Sequence, residues 1–172
     1  AIYHQRYSTN TFPQWSLAQP FRMLAHNGEI NTLKGNVNWM RSHEIRMASN
    51  AFGDRAEDIK PIIPSGASDS SALDSVFEVL VRAGRNAPMA KTMMVPEAWS
   101  QQAVEMPQAW QDMYGYCNAV MEPWDGPAAL AMTDGRWVCG GLDRNGLRPL
   151  RYVVTGDGLL VAGSEVGMVP ID

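Results

Sequence analysis

Cysteine, long apolar runs and clustered positive charge are all scarce in this sequence, and each scarcity argues against a class of protein. Two cysteines in 172 residues cannot make a disulfide framework, so we expect two reduced thiols. No apolar run approaches the roughly 20 residues that span a bilayer, and the N-terminus lacks the basic-then-apolar order of a signal peptide. We therefore expect a soluble, cytoplasmic protein with no membrane partner.

The charge and the composition narrow the class further. The 14 Lys and Arg residues are dispersed along the chain, and the formal net charge is −4. A nucleic-acid-binding surface needs positive charge gathered into a patch or stripe, so no nucleic-acid partner is expected. Because 45% of the residues are hydrophobic, the chain can bury a core. The sequence predicts a single globular domain over residues 1–172.

Apolar residues at helical spacing predict three helices. The first covers residues 31–52, the second follows Ser68-Asp69-Ser70 and ends at Gly84, and the third covers 107–121. Two strands at 1–3 and 21–25, joined by a long polar loop, are predicted before them. The residues between 54 and 67 are predicted to form a polar loop.

The last third of the chain has the pattern of antiparallel strands. After Pro127, apolar runs alternate with turn sequences at Asp134-Gly135 and at Gly156-Asp157-Gly158. This alternation predicts a meander of antiparallel strands. Helices followed by antiparallel strands fit an α+β fold, in which helices are layered on a sheet.

Arg6 is the first residue with a possible role in binding. It lies in the polar segment HQRYSTNT, residues 4–11. The planar guanidinium group suits bidentate binding of a carboxylate, so Arg6 is a candidate clamp for the α-carboxylate of an amino acid. Taken singly, an arginine on a loop is more often a solvated surface residue.

The segment HNGE, residues 26–29, offers hydrogen-bond donors. Asn27-Gly28 has the sequence of a tight hairpin turn, which by itself is the favoured interpretation. The alternative is that the Asn27 side-chain amide and the Gly28 N–H converge on a developing oxyanion. Such donors are each worth about 3 kcal/mol of transition-state stabilisation.

Asp69 lies between two serines where a helix is predicted to begin. The ordinary interpretation is that it forms part of the N-cap, where its charge suits the helix dipole. It is also a candidate to receive the α-ammonium group of a bound amino acid, and the two roles are compatible. A carboxylate opposite an arginine would bind a zwitterion at both ends.

The sequence offers neither a metal site nor a clear nucleophile. The three histidines show no short ligand spacing, so no metal is predicted. Cys117 falls on an apolar helix face, and Cys139 falls inside a strand between Val138 and Gly140. A reactive thiol needs exposure and a paired base, so neither cysteine is a good candidate.

Three motifs, read together, resemble a known family. HQRYSTNTFP from residue 4, AQPFRMLAHNGEINTLKGN from residue 18 and GASDSSALD from residue 66 are similar to the glutaminase domain of glutamate synthase large subunits. WDGPAALAMTDG, LDRNGLRPLRY and VAGSEVG resemble the sheet region of the class II glutamine amidotransferases. The resemblance covers essentially the whole chain and implies a four-layer αββα sandwich of the N-terminal-nucleophile hydrolase type.

The resemblance also implies roles for individual residues. Arg6 would bind the α-carboxylate of L-glutamine, Asn27 and Gly28 would form the oxyanion hole, and Asp69 would hold the α-amino group. Thr9 and Asn10 would make secondary substrate contacts.

The nucleophile of this family is a cysteine at the mature N-terminus, and this sequence has no such residue. The chain opens at Ala1 and ends at Asp172 without a flexible tail, so we expect missing chain on both sides, including the segment that carries the cysteine. Residues 1–172 would then be the C-terminal part of a glutaminase domain. Without the thiolate, the fragment is expected to be inactive alone.

The resemblance implies a parent enzyme in which ammonia from glutamine is transferred to 2-oxoglutarate at a flavin site. FMN, an iron–sulfur cluster and a small reductase subunit would all lie outside this chain. Two alternatives remain open: a non-catalytic fragment that binds glutamine or glutamate or is only structural, and another class II amidotransferase, such as a phosphoribosyl-amine or asparagine synthase.

Overall fold

The computed structural model describes residues 1–5, 11–47, 50–99 and 105–171. The four helices are α1, Leu33–Arg46; α2, Asp69–Arg82; α3, Ala87–Met94; and α4, Gln108–Val120. The five strands are β1, Leu24–Gly28; β2, Ala128–Thr133; β3, Val138–Leu142; β4, Arg151–Val154; and β5, Leu160–Gly163. Short 3₁₀ segments lie at Trp15–Leu17 and Gly53–Ile59.

The strands form two separate sheets. A three-stranded antiparallel sheet has the order β1-β2-β3, and β4 pairs with β5 in a two-stranded antiparallel sheet. In the larger sheet, His26 of β1 lies opposite Leu130 of β2, and Gly28 lies opposite Ala128. Thus β1 is an edge strand, and β2 is central although it follows β1 by about a hundred residues.

One face of the three-stranded sheet is packed against helices. Alternate strand residues lie on the same face, and Leu24, Leu130 and Met132 share the face that enters the core. Helix α2 supplies the largest buried side chains opposite them, including Leu73 and Phe77. Residues at the intervening positions, such as Asn27, point to the other face.

Hydrogen bonds from the chain leading into β1 fix α2 against that strand. The Asp74 carboxylate, in the second turn of α2, accepts the backbone N–H groups of Met23 at 2.9 Å and Leu24 at 3.0 Å. Ser68 caps the helix by accepting the N–H of Ser71 at 3.1 Å. These bonds set the start of α2 beside the edge of the sheet.

The α+β class and most predicted elements are confirmed. The second and third predicted helices correspond to α2 and α4, and the Asp134-Gly135 turn joins β2 to β3. The Gly156-Asp157-Gly158 turn joins β4 to β5. The four-layer sandwich stays a prediction, since the described residues form one helix-covered sheet and one separate hairpin.

Several sequence predictions about the fold are wrong. Residues 1–5 contain no strand, and the strand predicted at 21–25 is β1 at Leu24–Gly28. Helix α1 ends at Arg46 rather than near residue 52, and a 3₁₀ segment occupies part of the predicted loop at 54–67. Helix α3 was not predicted. The predicted meander is interrupted, because β4 pairs with β5 and not with β3.

No helix in the described ranges has the length and apolar character to cross a membrane.

Candidate functional site

The N–H of Gly28, the last residue of β1, points away from β2. The N–H of Leu24 donates to Asp74 Oδ1 at 3.0 Å, and that of His26 donates to Gln19 Oε1 at 2.7 Å, so both point off the outer edge of the sheet. Backbone groups alternate in direction along an antiparallel strand. Gly28 is two residues beyond His26, and its N–H therefore points off the same edge. This corrects the interpretation of Asn27-Gly28 as a hairpin turn, because both residues are paired within a strand.

Only glycine fits at position 28. Its φ is +134°, and a Cβ at this position would lie 1.8 Å from the carbonyl oxygen of Pro127. That carbonyl accepts the N–H of Glu29 at 3.0 Å, so the neighbouring chain is held close. The absence of a side chain thus lets the segment before β2 approach the end of β1.

The Asn27 side chain projects from the sheet face opposite the helices and contacts the chain after β5. Its Nδ2 donates to Ser164 Oγ at 2.8 Å and lies 3.4 Å from Glu165 Oε1. Ser164 is buried, whereas Glu165 is largely exposed. An amide nitrogen carries two N–H donors, so Asn27 can hold one fixed partner and still offer a second donor.

Asp69 lies at the corner where β1 ends and α2 begins. It is the first helical residue, one position beyond the cap Ser68. Its Oδ2 accepts the N–H of Ile30 at 2.9 Å, and its Oδ1 accepts the N–H of Ser70 at 2.8 Å. The carboxylate is therefore oriented by the start of α2 and by Ile30, which lies two residues after Gly28. Each carboxylate oxygen can accept more than one hydrogen bond, so Asp69 can still bind a cation.

His26 is buried beside Asp69. Its Nε2 lies 3.6 Å from Asp69 Oδ2, and its side chain is fully buried. Burial lowers the pKa of His26 below its ordinary value; Asp69 raises it, while His4 and Arg148 lower it further. The imidazole is consequently neutral near pH 7, and the contact is polar rather than an ion pair. Among the described residues, neither ring nitrogen has a hydrogen-bond partner.

Three predicted binding residues lie outside the described residues. These are Arg6, Thr9 and Asn10, and their roles stay predictions. Of the remaining predicted residues, Asn27, Gly28 and Asp69 are brought to the same end of β1.

A cavity of about 470 Å³ lies next to the Asn27 contact. Arg148, Arg151, Ser164 and Glu165 line it, and the last two are the residues near Asn27 Nδ2. Neither Asn27 nor Asp69 is itself among the lining residues. The cavity thus adjoins the predicted oxyanion donor without enclosing the predicted ammonium site.

Neither thiol has the surroundings of a nucleophile. Cys117 is completely buried on α4, and Cys139 lies in β3 with partial burial. Burial raises the pKa of both thiols above the ordinary value, and Asp134 adds to the effect at Cys139. A thiol whose pKa is raised carries little thiolate near pH 7. In the described part of the chain, no group of three or more His, Cys, Asp or Glu side chains is arranged to hold a metal ion.

The family is identified by comparison with known proteins. A profile described as "Glutamine amidotransferases class-II" matches residues 1–172, which is the whole chain. The chain belongs to the class II glutamine amidotransferases. The resemblance inferred from the three motifs is thereby confirmed.

Several relatives of this chain are glutamate synthases. It is 68% identical over 172 residues to the glutamate synthase (NADPH) large chain of Azospirillum brasilense, and 53% identical over 173 residues to the glutamate synthase (NADH) of Saccharomyces cerevisiae. It is also 50% identical over 175 residues to the ferredoxin-dependent glutamate synthase of Oryza sativa subsp. japonica. All of this chain is covered, but it spans only 11%, 8% and 11% of those relatives, respectively.

The cysteines and the paired glycines of the described residues do not suit the cofactors that the resemblance implies for a longer protein. An iron–sulfur cluster is typically held by about four cysteine thiolates. This chain has two cysteines, and Cys117 is buried in the helical core. The paired glycines Gly140 and Gly141 lie inside β3 rather than in a loop that could cradle a flavin phosphate. These residues therefore do not fit FMN or an iron–sulfur cluster.

Sequence reasoning overlooked two residues of this corner. The sequence alone assigns His26 no role, because its burial beside Asp69 depends on how α2 packs against β1. Ser164 was noted only as part of the motif VAGSEVG. That motif is one of those that resemble the family, and this was the available signal. The contact between Ser164 and Asn27, however, joins residues 137 positions apart.

Proposed function

We propose that residues 1–172 belong to the glutaminase domain of a glutamate synthase, which hydrolyses L-glutamine to L-glutamate and ammonia. The observation that carries this proposal is the meeting of three groups at one end of β1. The Asn27 amide, the outward N–H of Gly28 and the Asp69 carboxylate, which is bonded to Ile30, all lie there. They supply two donors for an oxyanion and one acceptor for an ammonium group.

Each group has a distinct role in this proposal. As the amide carbon of glutamine is attacked, negative charge develops on its oxygen, and the N–H groups of Asn27 and Gly28 stabilise it. Asp69 accepts hydrogen bonds from the α-ammonium, and Arg6 binds the α-carboxylate. Thr9 and Asn10 add substrate contacts. Binding the substrate at both charged ends fixes its side chain against the oxyanion donors.

The nucleophile is proposed to come from outside residues 1–172. Both thiols of this chain are protonated near pH 7 and lie in packed positions, which disfavours them as attacking groups. An N-terminal cysteine, whose own α-amino group acts as base, would complete the site. The two sheets would then belong to an αββα sandwich completed by that additional chain.

The rest of the enzyme is proposed to use the ammonia to aminate 2-oxoglutarate at a flavin site. FMN, the iron–sulfur cluster and a small reductase subunit would be contributed by those other parts. The relatives name NADPH, NADH and ferredoxin, yet each is at least 50% identical to this chain. We infer that the electron donor is chosen outside this domain. A cytoplasmic location stays a prediction.

Two alternatives differ in what they predict. A non-catalytic fragment would bind glutamine or only support the fold, without contributing to turnover in any longer protein. Another class II amidotransferase would pass ammonia to a different acceptor; the relatives at 50–68% identity favour glutamate synthase over this.

Calorimetric titration with L-glutamine tests the binding role of Asp69. Asp69→Asn removes the charge while keeping an acceptor oxygen, so it should weaken binding by about 10-fold or more, the loss expected for a charge-assisted hydrogen bond. Asp58→Asn is the matched control, because Asp58 is an exposed carboxylate paired with Arg55. Equal glutamine affinity in the two variants would contradict the assignment of Asp69.

An ammonia-release assay on the complete enzyme tests the catalytic role. Asn27→Ala should lower kcat by about 10²- to 10³-fold, as loss of an oxyanion donor does, while Arg6→Ala should mainly raise KM. An Asn27→Ala enzyme with unchanged kcat would exclude the oxyanion role. Sustained turnover by residues 1–172 alone would show that the nucleophile is within this chain.

A further inference from the structure

The side chain of Asn27 is held by a residue near the other end of the chain. Asn27 Nδ2 donates to Ser164 Oγ at 2.8 Å, and the two residues are 137 positions apart. Ser164 is only 8% exposed, so water competes little for this bond. Ser164 lies in VAGSEVG, a motif to which the proposed glutaminase chemistry assigns no role. The contact brings that motif directly to the oxyanion donor.

Of the two contacts made by Asn27, the one with Ser164 is the stronger. The distance to Ser164 is in the normal range for an N–H···O hydrogen bond, whereas the 3.4 Å distance to Glu165 Oε1 is beyond it. The Glu165 side chain is also 62% exposed, so it is hydrated and screened. Ser164 therefore sets the orientation of the amide, and the second N–H is held only loosely.

Ser164 is itself anchored. Arg151 Nη1 donates to the backbone carbonyl of Ser164 at 3.1 Å, and Arg148 Nη2 donates to Glu165 Oε1 at 3.1 Å. Arg148 lies just before β4 and Arg151 is its first residue. Their side chains hold the segment that follows β5. Arg148 also offsets the negative charge of Glu165. Without this pairing, that charge would disfavour the negative charge that develops on a nearby oxyanion.

We propose that Ser164 is a positioning residue for the oxyanion hole: it holds one N–H of the Asn27 amide so that the other faces the oxygen of the substrate amide. This inference rests on the proposed glutaminase function. An asparagine amide can rotate about two side-chain bonds, and an oxyanion donor must be in place before charge develops. A hydrogen bond from the same nitrogen to a buried, anchored acceptor fixes the amide in one orientation before the charge develops. In this role Ser164 acts through the Asn27 amide and not on the reacting atoms.

The test is a double-mutant cycle in the complete enzyme, measured by glutaminase kcat and KM. Ser164→Ala should lower kcat about 10-fold and leave KM within about twofold, because ground-state binding by the charged ends of glutamine is unaffected. Ser164→Thr keeps the hydroxyl and should restore kcat to within about threefold of the wild type. In an Asn27→Ala background, Ser164→Ala should change kcat by less than about twofold, since there is no amide left to orient.

Two controls separate positioning from a general effect on folding. Ser75→Ala is the matched control. Ser75 is also buried, and its hydroxyl donates to the Ser71 carbonyl at a distance of 2.9 Å; this bond lies within α2, away from the site. Its kcat should equal that of the wild type. If Ser164→Ala is poorly folded by thermal melting, Ser164→Cys keeps the side-chain volume but offers a weak acceptor, and it should show the same loss of kcat.

The outcomes distinguish this inference from the proposed function. Unchanged kcat in Asn27→Ala would overturn the oxyanion role and, with it, the basis of this inference. A large loss in Asn27→Ala with a folded Ser164→Ala or Ser164→Cys enzyme of normal kcat would overturn only the role of Ser164. Losses that multiply fully in the double variant would likewise show that Ser164 acts independently of Asn27.

Discussion

Replacing Gly28 by alanine tests whether the end of β1 depends on a close backbone approach. The new Cβ would lie 1.8 Å from the Pro127 carbonyl oxygen and 2.8 Å from its carbonyl carbon. Ordinary contacts of a Cβ are 3.4–4 Å, so the two chain segments would have to separate by more than about 1 Å. Alanine would also have to adopt a φ of +134°, which is unfavourable for a residue with a side chain, or the local backbone would have to change its conformation.

The cost can be worked out from these features. An alanine held in an unfavourable φ region costs about 1–3 kcal/mol. Separating the segments also loses the hydrogen bond from Glu29 N–H to Pro127, which measures 3.0 Å and is worth about 1 kcal/mol. A total of about 3 kcal/mol corresponds to a fall in Tm of about 6–12 °C for a domain of this size.

Thermal unfolding followed by circular dichroism gives the measurement, and Gly35→Ala is the control. Gly35 lies in α1, and a Cβ there would meet no atom within 4 Å. Alanine favours a helix over glycine by about 0.5–1 kcal/mol, so this variant should melt at the same temperature or slightly higher. If Gly28→Ala melted within 2 °C of the wild type, the close approach would not be a constraint and the argument for glycine at this position would fail.

Three further predictions concern buried charge and the thiols. Burial raises the pKa of Asp74, so Asp74→Asn should cost less stability at pH 7 than at pH 3. Burial also acts to raise the pKa of Asp143, but hydrogen bonds from four backbone N–H groups outweigh this effect and hold the pKa below its ordinary value. Asp143→Asn should therefore cost more stability at pH 7 than at pH 3. Denaturant unfolding at both pH values checks the signs, and parallel pH trends in the two variants would contradict them. A glutamine-like electrophile should label neither Cys117 nor Cys139, and an adduct in the intact mass would contradict this.

The elements that sequence predicted well are those whose signal is local. Helix α2 has apolar residues at helical spacing, a serine cap and Gly84 with φ +100° just beyond its end, and each of these acts within a few residues. The Asp134-Gly135 turn is equally local. Helix α3 has only eight residues, too few for helical spacing to stand out, although Asn86 caps it and Pro88 lies in its first turn.

The candidate site was predictable in composition but not in geometry. Short motifs predict Asn27, Gly28 and Asp69 as site residues, but local sequence also supports an ordinary structural role for each, and for Asn27-Gly28 it favours that role. Asn27-Gly28 was expected to be a turn because that dipeptide favours hairpins. The dipeptide instead belongs to a strand, because it pairs with Ala129 and Ala128, about a hundred residues later. No local pattern contains that information.

The sequence by itself determined the family; it also indicated that both thiols lie in packed positions and named candidate groups for binding an amino acid. Those conclusions depend on which residues are present and on patterns a few positions long. Only the tertiary structure decided the direction of the Gly28 N–H, the burial of His26 beside Asp69, and the bond between Asn27 and Ser164. Each of these is set by which distant segments pack together, because strand pairing and burial are properties of contacts that a linear pattern does not encode.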